Sequence, residues 1–227
     1  MNNLAIIGAS YLQMPLIKKA KEMGFTTHVF AWKANDVGEK EADYFYPISI
    51  TEYAEIAEKC REIGICGISS IATDLGAITV NRVANLLGLP GNSIECTLNS
   101  SNKHLMRQAF ERNGVPSPKS LLVDEHFCMD NVNLRYPIIV KPTDRSGSRG
   151  IYKLDSPQHL SSAIRAAIDE SFEKKALVEE YVGGKEYSVE GISFNGVHHI
   201  LAITEKFTTY SFLFFNHCIE FDMDLIV

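Results

Sequence analysis

An ammonium group at the end of an apolar strand is expensive to bury unless an anion meets it. The run Pro137-Ile-Ile-Val-Lys-Pro-Thr-Asp-Arg-Ser-Gly-Ser-Arg-Gly150 sets up that situation. Lys141 closes the apolar stretch. Ser146, Gly147, Ser148 and Gly150 follow in a loop whose small side chains leave the backbone N–H groups accessible, a concavity suited to phosphate oxygens. Arg145 and Arg149 add positive charge to the same loop. Taken alone, the segment serves equally well as a surface hairpin with a snorkelling lysine. Two other segments bear on the choice. Lys103 stands in Lys103-His-Leu-Met-Arg-Gln-Ala-Phe110, ahead of Gly114-Val-Pro-Ser-Pro118. Leu177-Val-Glu-Glu-Tyr-Val-Gly-Gly-Lys-Glu186 reads as a strand that runs into a hinge and ends in an acid. An edge backbone from Glu180 through Tyr181 to Val182 can pair with an adenine edge, and Glu186 can accept both hydroxyls of a ribose.

These residues need elements to hold them. Leu4 to Gly8, Thr26 to Trp32, Tyr44 to Ile50 and Gly67 to Ala72 read as short strands. They alternate with helices at Met14–Met23, Glu52–Ile63 and a segment through Leu87 that Asp74 can cap. Gly24, Gly64 and Gly88 stop those helices. Strand–helix alternation at these spacings predicts a doubly wound parallel sheet with right-handed crossovers. Leu89-Pro-Gly-Asn-Ser93 is turn chemistry at the expected domain boundary. A helix over Asn102–Asn113, with Asn99, Ser100 and Ser101 as available caps, leads into the rigid Gly114–Pro118 linker. Strands follow at Ser120–Val123 and Pro137–Lys141, then a helix over Ser156–Ser171 capped by Ser156, with Pro157 at its first position. Further strands are expected at Ala176–Val182, Glu186–Phe194 and Val197–Ile203, with Gly183-Gly184 and the hairpin signal Asn195-Gly196 as turns. The second half is therefore α+β with antiparallel pairing.

Other chemistries are poorly served. Gly8-Ala-Ser-Tyr-Leu-Gln13 keeps only the first glycine of a dinucleotide fingerprint. The second strand ends in Phe30-Ala-Trp-Lys33, with Asp36 too late for a ribose. A tight turn at a helix N-terminus, able to hold a substrate anion, fits better. Gly184-Lys185 is followed by Glu186, so there is no Walker A motif, and neither G-x-S-x-G nor H-E-x-x-H occurs. His198 and His199 would point to opposite faces of a strand. Cys60, Cys66, Cys96, Cys128 and Cys218 are odd in number and scattered, and they read as buried, reduced thiols in a cytoplasmic setting. With 22 Lys+Arg against 28 Asp+Glu in 227 residues, the net charge of -6 argues against nucleic acid or anionic membrane as a partner held by bulk charge. No stretch approaches the roughly 20 apolar residues of a membrane span.

In this order and spacing, the lysine-bearing helix with G-V-P-x-P, the P-I-I-V-K-P strand with its Ser/Gly loop, and V-E-E-Y-V-x-G-x-E resemble the ATP-grasp superfamily. Leu87-Gly-Leu-Pro-Gly91 resembles the approach to its first lysine. The resemblance covers about residues 1 to 206 and is nearest to carboxylate–amine ligases and carbamoyl-phosphate-synthase-like or purine-pathway members. It implies a Rossmann-like pre-ATP-grasp domain over 1–98, the N-terminal part of an α+β ATP-grasp domain over 99–206, and an atypical hydrophobic tail over 207–227. It also implies that Lys103 and Lys141 hold ATP phosphates and that the loop with Ser146, Gly147, Ser148 and Gly150 closes over them. Glu179, Glu180, Tyr181 and Val182 would line the adenine, Glu186 would bind the ribose, and Lys206 would reach the γ-phosphate. The implied reaction joins a small carboxylate to an amine through an acyl-phosphate, with Mg²⁺ neutralising charge. Thr73-Asp74, at the C-terminal edge of the first sheet, would touch the acyl substrate or simply cap a helix. The resemblance stops after Glu205-Lys-Phe-Thr-Thr209. Glu220, Asp222 and Asp224 alternate without the family's E-x-N and are not assigned to metal. The expectation is of a truncated or frame-shifted chain that keeps nucleotide affinity with little or no turnover. The alternatives are a catalytically dead nucleotide-binding fragment, completed by a second chain, and a Rossmann-like module that does not use ATP. The tail from Phe207, rich in Phe, would drive association with a copy of itself or a complementing chain.

Overall fold

The computed structural model describes residues 2–127, 132–207 and the strand 218–220. By compactness the chain divides in two, with Met1–Tyr181 as the first unit and the second beginning at Val182.

The first unit opens on a parallel sheet. Strands β1 (Asn3–Ile7), β2 (Thr26–Phe30), β3 (Tyr44–Tyr46) and β4 (Gly67–Ser69) take the order β3-β2-β1-β4. Every pairing in it is parallel. That is the order a Rossmann-like domain adopts. Helices α1 (Met14–Glu22), α2 (Val37–Glu41) and α3 (Tyr53–Ile63) make the crossovers, and α4 (Asp74–Leu87) follows the last strand. Ile6, Ile7, Val29 and Phe30 are fully buried against Ile17, Ile56 and Val83 of these helices. This is the burial that continuous apolar strands require when both faces are covered. Two elements here were not expected from the sequence. Five-residue α2 is too short for a periodicity, but Glu39 accepts hydrogen bonds from the Ala34 and Asp36 backbone N–H groups at 2.8 and 3.1 Å and fixes its first turn. α5 (Ile94–Ser101) begins at Ser93, whose hydroxyl accepts from the Cys96 N–H at 3.1 Å. It takes up Asn99, Ser100 and Ser101, so those residues do not cap the next helix. Asn102 caps α6 (Lys103–Arg112) instead.

A second, antiparallel sheet follows in the same unit: β5 (Ser120–Val123), β6 (Ile138–Pro142), β7 (Tyr152–Leu154) and β8 (Ala176–Glu180), in the order β5-β8-β6-β7. Helix α7 (Leu160–Glu170) packs on one face, where Ile138, Val140, Ala176 and Val178 meet Leu160, Ile164 and Ala167. Ahead of α7 lies a 3-10 turn, Pro157–His159, and Ser156 makes no side-chain cap bond, contrary to the sequence expectation. In the second unit, β9 (Glu186–Phe194) and β10 (Val197–Phe207) form the hairpin signalled by Asn195-Gly196. β11 (Cys218–Glu220) pairs antiparallel on the other side of β10. No helix among the described residues is long and apolar enough to cross a membrane.

Candidate functional site

Strand periodicity decides which side chains of the second sheet meet. In β6, Ile138 and Val140 face α7, so Ile139 and Lys141 face the other way. In β8, Val178 faces α7 and Glu179 faces the other way. The register pairs Ile139 with Glu179 and Lys141 with Leu177. Lys141 and Glu179 are therefore diagonal neighbours on one face, within reach of a long side chain. The Lys141 ammonium donates to Glu179 Oε1. From α6, Arg107 Nε donates to Glu179 Oε2 at 2.9 Å and a second guanidinium N–H points to Oε1 at 3.4 Å. The Glu179 side chain is only 7% exposed, against 14% for Lys141 and 21% for Arg107. Burial pushes the carboxyl up, but the Arg107 and Lys141 contacts outweigh it and hold the group below the ordinary carboxylate range.

Lys103 is brought to the same place by a helix start. The Asn102 side-chain oxygen accepts from the N–H groups of His104 and Leu105 at 3.0 and 3.1 Å, and its amide donates to Glu173 at 2.9 Å. Lys103 N–H donates to the Thr143 carbonyl at 2.8 Å, and its ammonium donates to the Arg145 carbonyl at 2.6 Å. Burial lowers the Lys103 pKa, and the nearby positive charge of Lys141 lowers it further; Asp144, Asp74 and Glu179 oppose the shift. Two half-buried ammonium groups thus repel one another beside the start of the 144–150 loop. An anion binding there would relieve that repulsion.

The loop is pinned at its base. Asp144 accepts from the Ser171 hydroxyl at 2.9 Å and from the N–H groups of Phe172 and Glu173 at 3.2 and 2.7 Å. Gly147 and Ser148 both have positive φ, 70° and 56°. At Gly150, with φ at 65°, a Cβ would come within 3.1 Å of Pro142 and 3.2 Å of Glu170, so that position needs glycine on two counts. Arg145 departs from expectation. Its Nε donates to the Glu170 carbonyl at 2.7 Å, and its guanidinium lies 4.1 Å above the Phe172 ring. Its charge serves the end of α7, while its backbone carbonyl serves Lys103.

The adenine-edge expectation also needs correction. β8 lies between β5 and β6 and is not an edge. The Glu180 N–H donates to the Lys119 carbonyl at 3.0 Å and the Tyr181 N–H to the Pro137 carbonyl at 2.9 Å. The Glu180 carboxylate is taken by the Arg135 backbone and guanidinium, both at 3.1 Å, and the Tyr181 ring carries Lys153 at 3.7 Å. Val182 and Glu186 lie in the second unit. There Glu186 pairs with Lys206 across β9 and β10 at 3.3 Å, so the ammonium expected to reach a phosphate is held by a carboxylate.

Elsewhere, Thr73 and not Asp74 caps α4, accepting from the Gly76 N–H at 3.2 Å. The Gly8–Gln13 turn closes on itself. Gln13 lies over Gly8, where a Cβ would meet it at 2.9 Å, accepts from the Ser10 N–H and hydroxyl, and donates to the Ile71 carbonyl. The Ser10 N–H is therefore not available to an outside anion. His198 accepts from or donates to Ser193 at 2.7 Å, on the opposite side of β10 from His199. Among the described residues no group of three or more His, Cys, Asp or Glu is arranged to hold a metal. Cys60 is buried, but Cys66 and Cys96 are exposed, at the turn before β4 and in the first turn of α5, so the expectation of buried thiols fails for both. Cys128, the Cys218 and Glu220 side chains, Asp222, Asp224 and the tail after Phe207 lie outside the described residues. A cavity of about 730 Å³ runs along α6, the Gly114–Pro118 linker and Asn133-Leu134, and touches the cluster only through Arg107. Arg107 is the member that sequence reasoning missed. The available signal was its place one helical turn after Lys103.

Three comparisons bear on this geometry. The family model described as "ATP-grasp domain" matches residues 134–219. A D-alanine–D-alanine ligase of Halorhodospira halophila is 28% identical over 113 residues, 49% of this chain and 36% of that protein. A carbamoyl phosphate synthase large chain of Thermoanaerobacter is 24% identical over 152 residues, 66% of this chain and 14% of that protein. The crystal structure of an L-amino acid ligase from Bacillus licheniformis superposes with a TM-score of 0.77 at 22% identity, covering 94% of this chain and 52% of that one. The chain therefore spans about half of that ligase and less of the other relatives.

Proposed function

We propose that this chain, which carries the ATP-grasp superfamily fold, binds ATP, and that the protein it represents is an ATP-dependent ligase joining a carboxylate to an amine. In this reading a substrate carboxylate attacks the γ-phosphate and the amine displaces phosphate from the resulting acyl-phosphate. Lys103 and Lys141 neutralise the phosphate oxygens, and Ser146, Gly147, Ser148 and Gly150 offer backbone donors above them. Electrostatic stabilisation and positioning carry such a transfer. Glu179, Glu180, Tyr181 and Val182 are assigned to the adenine side, the last through its backbone, and Glu186 to the ribose. Those assignments rest on the sequence resemblance. The Glu180 and Tyr181 N–H groups are already bonded to the Lys119 and Pro137 carbonyls, so neither donor is assigned to the base. Mg²⁺ is assigned to the nucleotide, and no residue described here is assigned to it. The domain limits at 98 and 206 and a cytoplasmic location are held on the same footing.

The observation that carries the reading is the convergence of Lys103 and Lys141 at the foot of a loop with consecutive positive-φ residues. Burial and the neighbouring Lys141 charge both lower the Lys103 pKa, a cost that a bound anion would offset. Calorimetric titration of ATP, with and without Mg²⁺, into the chain and its Lys141→Ala variant tests it. The variant should lose about 2 kcal/mol of binding, roughly thirtyfold, the scale of one charge-assisted hydrogen bond. A folded wild-type chain that does not bind ATP refutes the proposal.

A further inference from the structure

The Lys141–Glu179 contact poses a problem for any anion site. A lysine closed onto a buried carboxylate forms a neutral pair, and a neutral pair attracts phosphate weakly. Arg107 changes the balance. Its guanidinium meets the same carboxylate with two N–H groups, at 2.9 and 3.4 Å, on a side chain that is itself mostly covered. Two cations then share one anion. Glu179 fixes where the Lys141 ammonium sits, and Arg107 supplies the charge that Glu179 would otherwise cancel. The other nearby carboxylate in the loop, Asp144, is occupied by the Ser171 hydroxyl and two backbone N–H groups.

We propose that Arg107 is a charge-compensating positioning residue: by satisfying Glu179 it leaves Lys141 held in place yet still net cationic for a polyphosphate. The inference rests on the nucleotide reading above and deepens it, because it names a residue on α6 that touches no substrate and yet sets phosphate affinity. It predicts a sign reversal that a structural role does not. Removing Arg107 lets Lys141 close onto Glu179 as a neutral pair. Removing Glu179 as well releases Lys141.

The test titrates inorganic tripolyphosphate, which carries the charge of the nucleotide without its base, into wild type, Arg107→Gln and the double variant Arg107→Gln/Glu179→Gln. Near-UV circular dichroism checks folding. Arg107→Gln should weaken tripolyphosphate roughly tenfold, the scale of one unit charge about 12 Å away at an effective dielectric of ~20. The double variant should return to within about threefold of wild type. Should Arg107→Gln not fold, Arg107→Met gives the reading, since it keeps an unbranched apolar stem and loses the charge; it should also bind roughly tenfold more weakly. Arg107→Gln or Arg107→Met binding like wild type, or a double variant as weak as Arg107→Gln, overturns the inference while leaving the nucleotide reading intact. Wild type that binds neither tripolyphosphate nor ATP overturns both.

Discussion

Replacing Glu179 by alanine removes the one anion that Arg107 and Lys141 share inside the second sheet. The cost follows from burial. The carboxylate is 7% exposed, Lys141 14% and Arg107 21%, so water cannot simply take its place. Breaking a buried ion pair by deleting one partner costs about 3–5 kcal/mol because the remaining charge is left uncompensated. Arg107 is the most exposed of the three and can turn towards solvent, which favours the lower end, about 3 kcal/mol. At roughly 2–4 °C per kcal/mol for a chain of this size, the melting temperature at pH 7 should fall by about 6–12 °C. The pH dependence adds a second reading. The folded carboxyl titrates below its ordinary 4.5. Its contribution is therefore complete above that value and is lost as pH falls through the lower, folded value. Thermal melts of wild type and Glu179→Ala between pH 7 and pH 3 should show a gap that closes on the acid side. A gap under about 2 °C at pH 7, or one unchanged into acid, would refute the claim that Glu179 is an ionised hub.

Two further outcomes follow from the same geometry. Asn102→Ala removes the acceptor for two N–H groups at the start of α6 and the donor to Glu173, and should cost about 1–2 kcal/mol in chemical denaturation. Because Lys103 is the next residue, it should also weaken ATP binding, whereas Ser93→Ala, which uncaps α5, should cost stability alone; equal ATP affinity in all three chains would count against this. Iodoacetamide should modify Cys66 and Cys96 well before Cys60, which is fully buried and whose thiol is pushed up to about 12 by that burial. Peptide mass mapping reads the order, and early labelling of Cys60 would contradict the packing of the first core.

The sequence made the parallel sheet legible because its strands are short apolar runs and its helices end at glycines. Gly64 and Gly88 stop α3 and α4 in the left-handed conformation that the C-cap rule anticipates. It did not reveal α2 or α5. Both begin at polar caps, Asp36 and Ser93, within stretches whose composition reads as turn, and neither repeats its apolar spacing long enough to show a period. At the site, Lys103 and Lys141 could be read because each stands out locally, one opening a helix and the other ending an apolar strand. The partner of Lys141 could not. Glu179 lies 38 residues on and Arg107 lies 72 residues before Glu179. Only the register of β6 on β8 and the seat of α6 bring them together. Arg145 shows the converse: its place in the loop suggested positive charge facing it, yet the aromatic ring of Phe172 and the end of α7 hold its guanidinium.

That distribution bears on why the cluster exists. Ion pairs taken out of water contribute little to stability on balance, and well-packed apolar side chains in their place are often neutral or better. The rest of the second sheet follows that economy, with Ile138, Val140, Ala176 and Val178 filling the α7 face. On the opposite face the chain places Arg107, Lys141 and Glu179 in contact and seats Lys103 beside them with its ammonium on a backbone carbonyl. Folding alone gains nothing from seating Lys103 next to Lys141, since burial and the Lys141 charge make the Lys103 ammonium harder to keep charged. On the proposed nucleotide reading a polyanion is the fifth member: its negative charge offsets the repulsion between the two ammonium groups, and Glu179 with Arg107 keeps Lys141 in position meanwhile.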